Sequence, residues 1–309
     1  MDAILILIQL LVVLVLAPLL QGVIKTVKAR WQNRRGPGLL QTYRDLAKLL
    51  ARESIVSDQA SWVFRYAPLV YGAALVGAAV LVPTVAKRSP AAGIGDAVVF
   101  VGLLALARFA LALSALDTAS NFGGMGASRE VAFAALVEPA LLLVIFAVAL
   151  PRGSTSLSAL VGDGRLGAAD LVACGALLIV VIAETGRIPI DNPDTHLELT
   201  MAHEGMILEY SGRPLGVIHW ATQVKQLAIL ALASSLFFPW GMAGAGDHSP
   251  VALLGGLASF ALKVGLLGLL LAAIETAVAK LRIFRVPDLL GLASVLGVFA
   301  VMATYLVDR

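Results

Sequence analysis

Six carboxylates lie between Glu184 and Arg213, together with only two arginines, in a chain that is otherwise strongly apolar. Apolar stretches flank this acidic segment, from residue 171 to 183 before it and from residue 215 past Trp240 after it. Carboxylates at the edge of a bilayer are costly to remove from water, and they often mark ion paths, proton paths or docking sites. The segment is therefore the first candidate for function. Its acids are Glu184, Asp191, Asp194, Glu198, Glu204 and Glu209.

A second set of charges lies inside stretches that are apolar enough to cross a membrane. Glu130 and Glu138 are eight residues apart in the sequence. At helical geometry this spacing is about 12 Å of rise and about 80° of rotation, so both side chains could face one polar cavity without touching. A neutralising pair explains any single buried charge, but a set spread over several helices is typical of a proton relay. The other members are Arg108, Lys225, Lys263 and Glu275.

The composition places these charges in an integral membrane protein. Of the 309 residues, 59% are hydrophobic and 14% are charged, which is far from an ordinary soluble domain. The predicted fold class is all-α, a polytopic membrane helix bundle with about eight transmembrane helices in one integral membrane domain over residues 1–309, because a spanning helix needs about 20 mostly apolar residues. Such windows occur at residues 3–24, 66–86, 97–116, 130–150, 168–188, 216–242, 251–279 and 287–307. Continuous runs of this length argue against the shorter, alternating strands of a barrel.

Metal and cofactor chemistry has little support in the sequence. The single cysteine, Cys174, lies in an apolar span, so this chain alone builds neither a disulfide framework nor a cysteine-ligated iron–sulfur cluster. The four histidines lack metal-site spacing. We therefore predict that this chain binds no metal or cofactor, and we interpret glycine-rich residues 123–126 as a flexible connection between the third and fourth spans. Nothing in the pattern suggests nucleic-acid binding.

Lysine and arginine in the connections predict the orientation in the membrane. With the N-terminus outside, the inner connections hold 15 basic residues and the outer ones hold five. Both termini should then face outward, and the acidic connection, residues 184–215, should face the cytoplasm. The chain opens with Met1 and Asp2 followed by an apolar run, without a basic region or a cleavage site, so we expect a retained first helix and not a signal peptide.

The basic connection over residues 25–65 is predicted to contain a cytoplasmic amphipathic helix. Leucines recur at helical spacing from Leu39 to Leu50, with charged residues between them. One interpretation is an anchor that binds anionic lipid. The other is a platform for a soluble partner, since the turn at residues 34–38, Arg-Arg-Gly-Pro-Gly, is a charged and sharply bent element that lipid attraction does not require. Both interpretations stay open at this point.

Several of these segments resemble the membrane subunit that anchors the peripheral arm of respiratory complex I, called its subunit 1. The motifs are R-R-G-P-G at 34–38, S-R-E-V at 128–131, and A-E-T-G-R-I-P-I-D-N-P-D at 183–194, followed by L-E-L and E-Y-S-G. Complex I members usually carry P-F-D-L-P-E-A-E-S-E-L where this chain has P-I-D-N-P-D-T-H-L-E-L. The latter form is similar to the hydrogenase branch, the group of formate hydrogenlyase subunit 4 and hydrogenase-4 component C.

The resemblance implies a non-catalytic membrane anchor and coupling subunit of an oxidoreductase complex in a prokaryotic plasma membrane. The complex would be a membrane-bound nickel–iron hydrogenase or formate hydrogenlyase that links electron transfer to proton or sodium translocation. Hydrogenase-type large and small subunits and iron–sulfur proteins on the cytoplasmic face would hold the nickel–iron centre and the iron–sulfur clusters. Antiporter-like membrane subunits would be further partners.

Particular residues have expected roles. Expected for docking of the peripheral arm are Arg34, Arg35, Gly36, Pro37 and Arg187. By position, the resemblance places on the acid-lined passage from the quinone region of complex I into the membrane Glu130, Glu138, Glu184, Asp191, Asp194, Glu198, Glu204 and Glu209. The buried charges add Lys225 and Glu275 to the expected proton path. Thr195 and His196 replace the Glu-Ala pair that lies beside the quinone chamber in complex I, and they change the polarity of that loop.

Three alternative functions stay open. The chain could be a quinone-site subunit of a complex I-type NADH dehydrogenase, a stand-alone transporter, which internal repeats would favour, or a purely structural anchor.

Overall fold

The computed structural model describes residues 2–57, 59–87, 93–162, 167–191, 201–244 and 249–307. Within these ranges the chain is helical and forms no strand, apart from isolated bridges between Ala86 and Ala243 and between Asp96 and Ser156. A short 3-10 turn, Ile283–Arg285, precedes the last helix. In chain order the helices are α1 (Asp2–Trp31), α2 (Gln41–Ala51), α3 (Trp62–Leu81), α4 (Ala97–Asp117), α5 (Asn121–Ala149), α6 (Leu157–Leu160), α7 (Ala168–Glu184), α8 (His203–Ile207), α9 (Gly212–Phe237), α10 (Pro250–Ala277) and α11 (Val286–Val307).

The predicted all-α membrane bundle is confirmed. Seven of the described helices, α1, α3, α4, α5, α9, α10 and α11, are long and apolar enough to cross a membrane. The remaining predicted span coincides with α7, which is apolar and has 17 residues. Packing follows the pattern of membrane bundles, in which small residues let helix backbones approach closely. Ala78 of α3, Ala107 of α4, Ala140 of α5 and Ala176 of α7 are each at most 1% exposed.

The prediction of a flexible connection at residues 123–126 is wrong, because these residues form the first turns of α5. Glycine is needed here for close packing and not for flexibility. A Cβ added to Gly126 would lie 2.8 Å from the carbonyl oxygen of Ala202 and 3.0 Å from the backbone nitrogen of Met206. Any side chain at this position would therefore push α8 away from α5.

The predicted amphipathic helix is confirmed as α2, which packs against α1 and α9 and buries Thr42 and Leu46. The turn before it is fixed to α1, because the Thr26 hydroxyl donates a hydrogen bond to the Pro37 carbonyl at 2.8 Å. Gly36 has a φ of +63°, a conformation that glycine adopts without steric cost. Arg34 and Arg35 are both exposed.

Hydrogen bonds place the amphipathic helix and the acidic segment at the same end of the bundle. After α2, the Ile55 N–H donates to the Ser211 hydroxyl at 2.8 Å, and that hydroxyl donates to the Ile55 carbonyl at 3.1 Å. Tyr210 stacks on Phe64 with ring centroids 3.9 Å apart and donates its hydroxyl to the Phe64 carbonyl at 2.9 Å. Burial raises the pKa of Tyr210 to about 12, so its phenol stays a neutral donor.

Candidate functional site

A partly open cavity of about 450 Å³ lies between α1, α3, α5, α7 and α9, next to the acidic segment. Most of the side chains on its wall are polar or charged. A polar cavity inside a membrane bundle is suited to water and ions, because apolar ligands prefer apolar walls. The wall carries Gln21, Lys25 and Lys28 of α1, Tyr71 of α3, Glu130 of α5, Glu184 of α7, residues 185–187 and Asp191 after it, His203 and Glu204 of α8, and His219, Thr222, Gln223, Lys225 and Gln226 of α9.

The end of α7 positions two of these side chains. The Gly186 N–H donates to the Ala183 carbonyl and the Arg187 N–H donates to the Ile182 carbonyl, both at 3.1 Å, with Gly186 at a φ of +58°. This pattern is the Schellman helix end, which requires a left-handed residue and therefore favours glycine. It makes Glu184 the last residue of α7 and turns Arg187 back toward the bundle.

Arg108 of α4 is the centre of the first ion-pair cluster, which we call the Arg108 cluster: Arg108, Glu130, Glu138, Glu184 and Lys225. The Arg108 guanidinium is 2.5 Å from Glu184, pairs with Glu138, and places its Nε atom 3.4 Å from a Glu130 oxygen. Glu130 and Glu138 thus meet one partner without touching each other. Of the two, Glu130 lines the cavity and Glu138 does not, so within the described residues the predicted shared cavity is not formed. The arginine is 7% exposed, so water screens these charges little.

Glu184 connects Arg108 to a second cation. Its other carboxylate oxygen lies 2.9 Å from the Lys225 ammonium, and its side chain has no exposed surface. A carboxylate at the C-terminus of a helix is disfavoured by the helix dipole, and a buried charge without a partner is costly. Two cations around Glu184 offset both effects. The result is a row of alternating charges, Glu138–Arg108–Glu184–Lys225, in which the two central members are buried.

Arg187 is the centre of the second cluster, the Arg187 cluster: Arg187, Glu275, Lys28, Gln21 and Gln226. Its guanidinium lies 3.0 Å from one oxygen of Glu275, and the Lys28 ammonium lies 3.2 Å from the other. It also donates to the amide oxygens of Gln226, at 2.9 Å, and of Gln21. Arg187 is only 5% exposed. The docking role expected for Arg187 stays a prediction, and in this structure its guanidinium is buried among α1, α9 and α10, unlike the exposed Arg34 and Arg35.

Asp191 holds the two described ends of the acidic segment near each other. One carboxylate oxygen lies 3.1 Å from the Lys280 ammonium, and the other accepts a hydrogen bond from the Ala202 N–H at 3.2 Å. The carboxylate is 7% exposed and lines the large cavity. A change in the conformation of residues 191–202 would therefore change the charges that face the cavity.

The comparisons with known proteins agree with the resemblance. The sequence profile of the NADH dehydrogenase family matches residues 3–306. Formate hydrogenlyase subunit 4 of Escherichia coli (strain K12) is 38% identical over 286 residues, which cover 91% of this chain and 92% of that protein. The chain belongs to the NADH dehydrogenase family, the family of complex I subunit 1.

Within this family the chain is more similar to two hydrogenase subunits than to an NADH-quinone oxidoreductase subunit. Hydrogenase-4 component C of Escherichia coli (strain K12) is 37% identical, with 89% of this chain and 87% of that protein covered. NADH-quinone oxidoreductase subunit 8 of Rhodothermus marinus is 31% identical, with 67% and 62% covered.

The fold also matches a solved structure. A chain of the membrane-bound sulfane sulfur reductase, described as an archaeal respiratory membrane complex, superposes with a TM-score of 0.85 over 98% of this chain and 99% of that chain. Their sequences are 19% identical, so this likeness shows the fold alone.

The predicted path residues outside the two clusters, and Lys263, have different surroundings. Glu204 lines the large cavity, whereas Glu209 is exposed and does not line it. Asp194 and Glu198 lie outside the described residues. Lys263, a member of the buried charged set, donates to the carbonyls of Phe238 and Trp240 at 2.9 and 3.0 Å. Lys263 therefore satisfies backbone oxygens just after α9 and is not bonded to either cluster.

Sequence reasoning missed the uncharged part of the site. Tyr71 of α3 and the polar residues of α9 line the cavity together with Lys225. A signal was present in the sequence, because His219, Thr222, Gln223 and Gln226 recur at spacings of three and four residues along one side of an otherwise apolar helix. His203 is the other missed residue, and its position on α8 could not be derived from local spacing.

Proposed function

We propose that this chain is the membrane anchor and coupling subunit of an energy-converting, membrane-bound nickel–iron hydrogenase or formate hydrogenlyase. In this proposal, electron transfer in a peripheral arm drives proton or sodium translocation, and this chain carries no redox centre. The observation that supports it most is the row of alternating charges Glu138–Arg108–Glu184–Lys225 beside a polar cavity. A simple anchor has no need of such a row, and its members lie on four different helices, α4, α5, α7 and α9.

The energetics of these pairs are adequate for a switch. Two unit charges about 4 Å apart interact by about 4 kcal/mol at an effective dielectric constant near 20. This energy corresponds to roughly three pKa units at about 1.36 kcal/mol each. Separating one pair by a few ångströms would therefore change the proton affinity of the carboxylate by a large factor. In this proposal, redox chemistry at the docked arm changes the charge or conformation near Asp191 to Glu209, where Asp191 pairs with Lys280.

The turn at Arg34 and Arg35 is the proposed docking site for the soluble subunits. These arginines are exposed and lie at the end of the bundle that also carries the acidic segment. The proposed partners are hydrogenase-type large and small subunits and iron–sulfur proteins, which would hold the nickel–iron centre and the clusters. In this proposal that end faces the cytoplasm, both termini face outward, and antiporter-like subunits lie beside the bundle in the membrane.

Purification of the tagged complex from its native membranes tests the proposal. We expect a nickel-containing large subunit and iron–sulfur proteins to co-purify in stoichiometric amounts, identified by mass spectrometry and metal analysis. Flavin-binding and nicotinamide-binding subunits in their place would support the complex I alternative. Recovery of this chain without any redox subunit would overturn both.

The docking site is tested in the same preparation. Arg34→Glu combined with Arg35→Glu inverts two exposed charges and should release the soluble subunits from washed membranes while this chain stays inserted. The matched control, Arg34→Lys with Arg35→Lys, keeps the charge and should retain most of them. Full retention in the charge-inverted variant would leave only the lipid-anchor interpretation of the basic connection.

A further inference from the structure

His203, the first residue of α8, lies between two voids. It lines the large cavity of about 450 Å³, and it also lines a separate small void of about 20 Å³. The small void is bounded by Arg108, Glu130 and Asp191 as well. A cavity needs about 10–15 Å³ to hold one water molecule, with polar groups to bond it. The small void therefore has room for about one water between His203 and the Arg108 cluster.

Thr222 and Tyr71 fix the ring of His203 from the other side. The Nε2 atom of His203 lies 3.4 Å from the Thr222 hydroxyl oxygen. The Tyr71 hydroxyl oxygen lies 3.0 Å from that Thr222 oxygen. The Thr222 hydroxyl donates its own hydrogen to the Ile218 carbonyl at 2.9 Å. Its oxygen can then only accept, so the network favours an Nε2 atom that carries hydrogen. In neutral His203 the Nδ1 atom is consequently the one that can take up a proton.

We propose that His203 is a proton-transfer residue that supplies the Arg108 cluster from the water of the large cavity. This inference rests on the proposed coupling function. The Nδ1 atom accepts a proton from cavity water and then gives it, through one water in the small void, to the Glu130 carboxylate, so that the imidazole returns to its neutral form. Imidazole suits this step because it is the side chain whose ordinary pKa lies nearest to neutral pH. Thr222 and Tyr71 are positioning residues that keep Nε2 out of the transfer.

Charged groups of both signs surround the His203 ring, so the surrounding charges exclude neither its neutral form nor its protonated form. Toward the small void lie Glu130 and Arg108, together with Asp191, which is paired to Lys280. From α5, Arg129 approaches and donates to the Met201 carbonyl at 2.9 Å. The large cavity presents Glu204 from the same helix, Lys25 from α1, and His219 and Lys225 from α9.

The test compares His203→Ala with His203→Gln in the complete complex, in sealed inverted vesicles. Dithionite-reduced methyl viologen drives hydrogen evolution, and a pH-sensitive dye reports proton uptake, expressed per electron. We expect both variants to fall about tenfold, less than the 10²–10⁴-fold typical of an acid–base group because cavity water offers a slower route. Added imidazole should restore His203→Ala, which leaves space for it, and should not restore His203→Gln, which fills that space and cannot titrate.

A purely structural role predicts a different pattern. Glutamine retains a donor for Thr222, so wild-type proton uptake in His203→Gln, or a defect in His203→Ala that imidazole does not change, would overturn the proposal. Thr222→Val removes only the hydroxyl and should lower proton uptake about threefold, the loss expected for one hydrogen bond. The matched control is Thr304→Val on α11, whose hydroxyl donates to the Ala300 carbonyl at 2.9 Å, and which should behave as wild type.

Two further outcomes separate this proposal from the coupling function. If Glu184→Gln lowers proton uptake at least about tenfold and His203→Ala leaves it at the wild-type level, the relay is overturned and the coupling function stands. Wild-type vesicles that move sodium and no protons would have the same consequence. If the wild-type complex moves no ion at all, the coupling function is overturned and the relay with it.

Discussion

The two ion-pair clusters are built from similar side chains but differ in the balance of their charges. The Arg108 cluster sets three carboxylates against two cations, which leaves a formal charge of −1. In the Arg187 cluster two cations, Arg187 and Lys28, share one carboxylate, Glu275, and Arg187 also bonds the amides of Gln21 and Gln226. A cluster with more carboxylates than cations can accept a proton and still keep its cations paired. Protonation of Glu275 would instead take away the one carboxylate that Arg187 and Lys28 share.

This difference indicates two roles for buried charge in one bundle. The Arg108 cluster has the composition of a group that titrates, and it borders both the small void and the large cavity. The Arg187 cluster has the composition of a fixed charge that joins the end of α7 to α1, α9 and α10. Glu275 stays a predicted path residue, and we expect its substitution to affect translocation less than substitution of Glu184.

The largest expected effect comes from Arg108→Ala. This change leaves three carboxylates facing each other, one of them without any exposed surface. Loss of one partner from a buried ion pair typically costs about 3–5 kcal/mol, so we expect little assembled complex in membranes and a strongly lowered thermal inactivation temperature in what remains. Adding Glu184→Gln to Arg108→Ala should recover part of the assembly. A stable Arg108→Ala complex without that second change would contradict the proposed balance of charges.

Glu184→Gln should have the next largest effect, and it should act on translocation. Glutamine keeps the volume of the side chain and abolishes its titration, and Lys225 still has the polar cavity beside it. We expect assembled complex whose proton uptake per electron falls by at least about tenfold, in the range typical of acid–base groups. Equal proton uptake per electron in the variant and in wild-type vesicles would remove Glu184 from the path.

Glu138→Gln should have an intermediate effect. Its side chain is 30% exposed in this single chain, so a partner subunit or water can take over part of its role. We expect normal assembly, retained redox activity in detergent and a fall of about threefold in proton uptake per electron in sealed vesicles, smaller than the loss expected for a fully enclosed acid–base group. A fall as large as that of Glu184→Gln would show that exposure does not rank the members of the cluster.

Much of this fold could be predicted from composition and periodicity. The apolar runs located the spanning helices, and leucine spacing located α2 to within two residues at its start and one at its end. The glycine-rich residues 123–126 were misinterpreted because glycine in a soluble sequence usually interrupts helices, whereas in a membrane bundle it allows close approach. The reason lies in the contact of Gly126 with α8, which is 75 or more residues away in the chain.

The sequence predicted several residues of the site but not the ion pairs that join them. The local sequence shows that Arg108, Glu130, Glu138 and Glu184 are charged residues in or beside apolar stretches. That the three carboxylates pair with the Arg108 guanidinium depends on how α4, α5 and α7 pack. Arg187 was expected to take part in docking of the peripheral arm, and its ion pair with Glu275 was not predicted. Glu275 lies 88 residues later in the sequence. No local sequence pattern predicts an ion pair between residues so far apart in the chain.

The smallest effect on translocation is expected for Glu275→Gln, and this variant tests the comparison most directly. It is the same substitution as Glu184→Gln, made in the cluster whose two cations share one carboxylate. Arg187 would keep its bonds to Gln226 and Gln21, so the expected cost is roughly that of a lost charged hydrogen bond, about 1.5–3 kcal/mol, seen as a lower thermal inactivation temperature. Proton uptake per electron in the remaining complex should equal that of wild type, because the Arg108 cluster is untouched. If Glu275→Gln lowers proton uptake as much as Glu184→Gln does, both clusters belong to one path, and the balance of charges does not separate a titrating group from a fixed one.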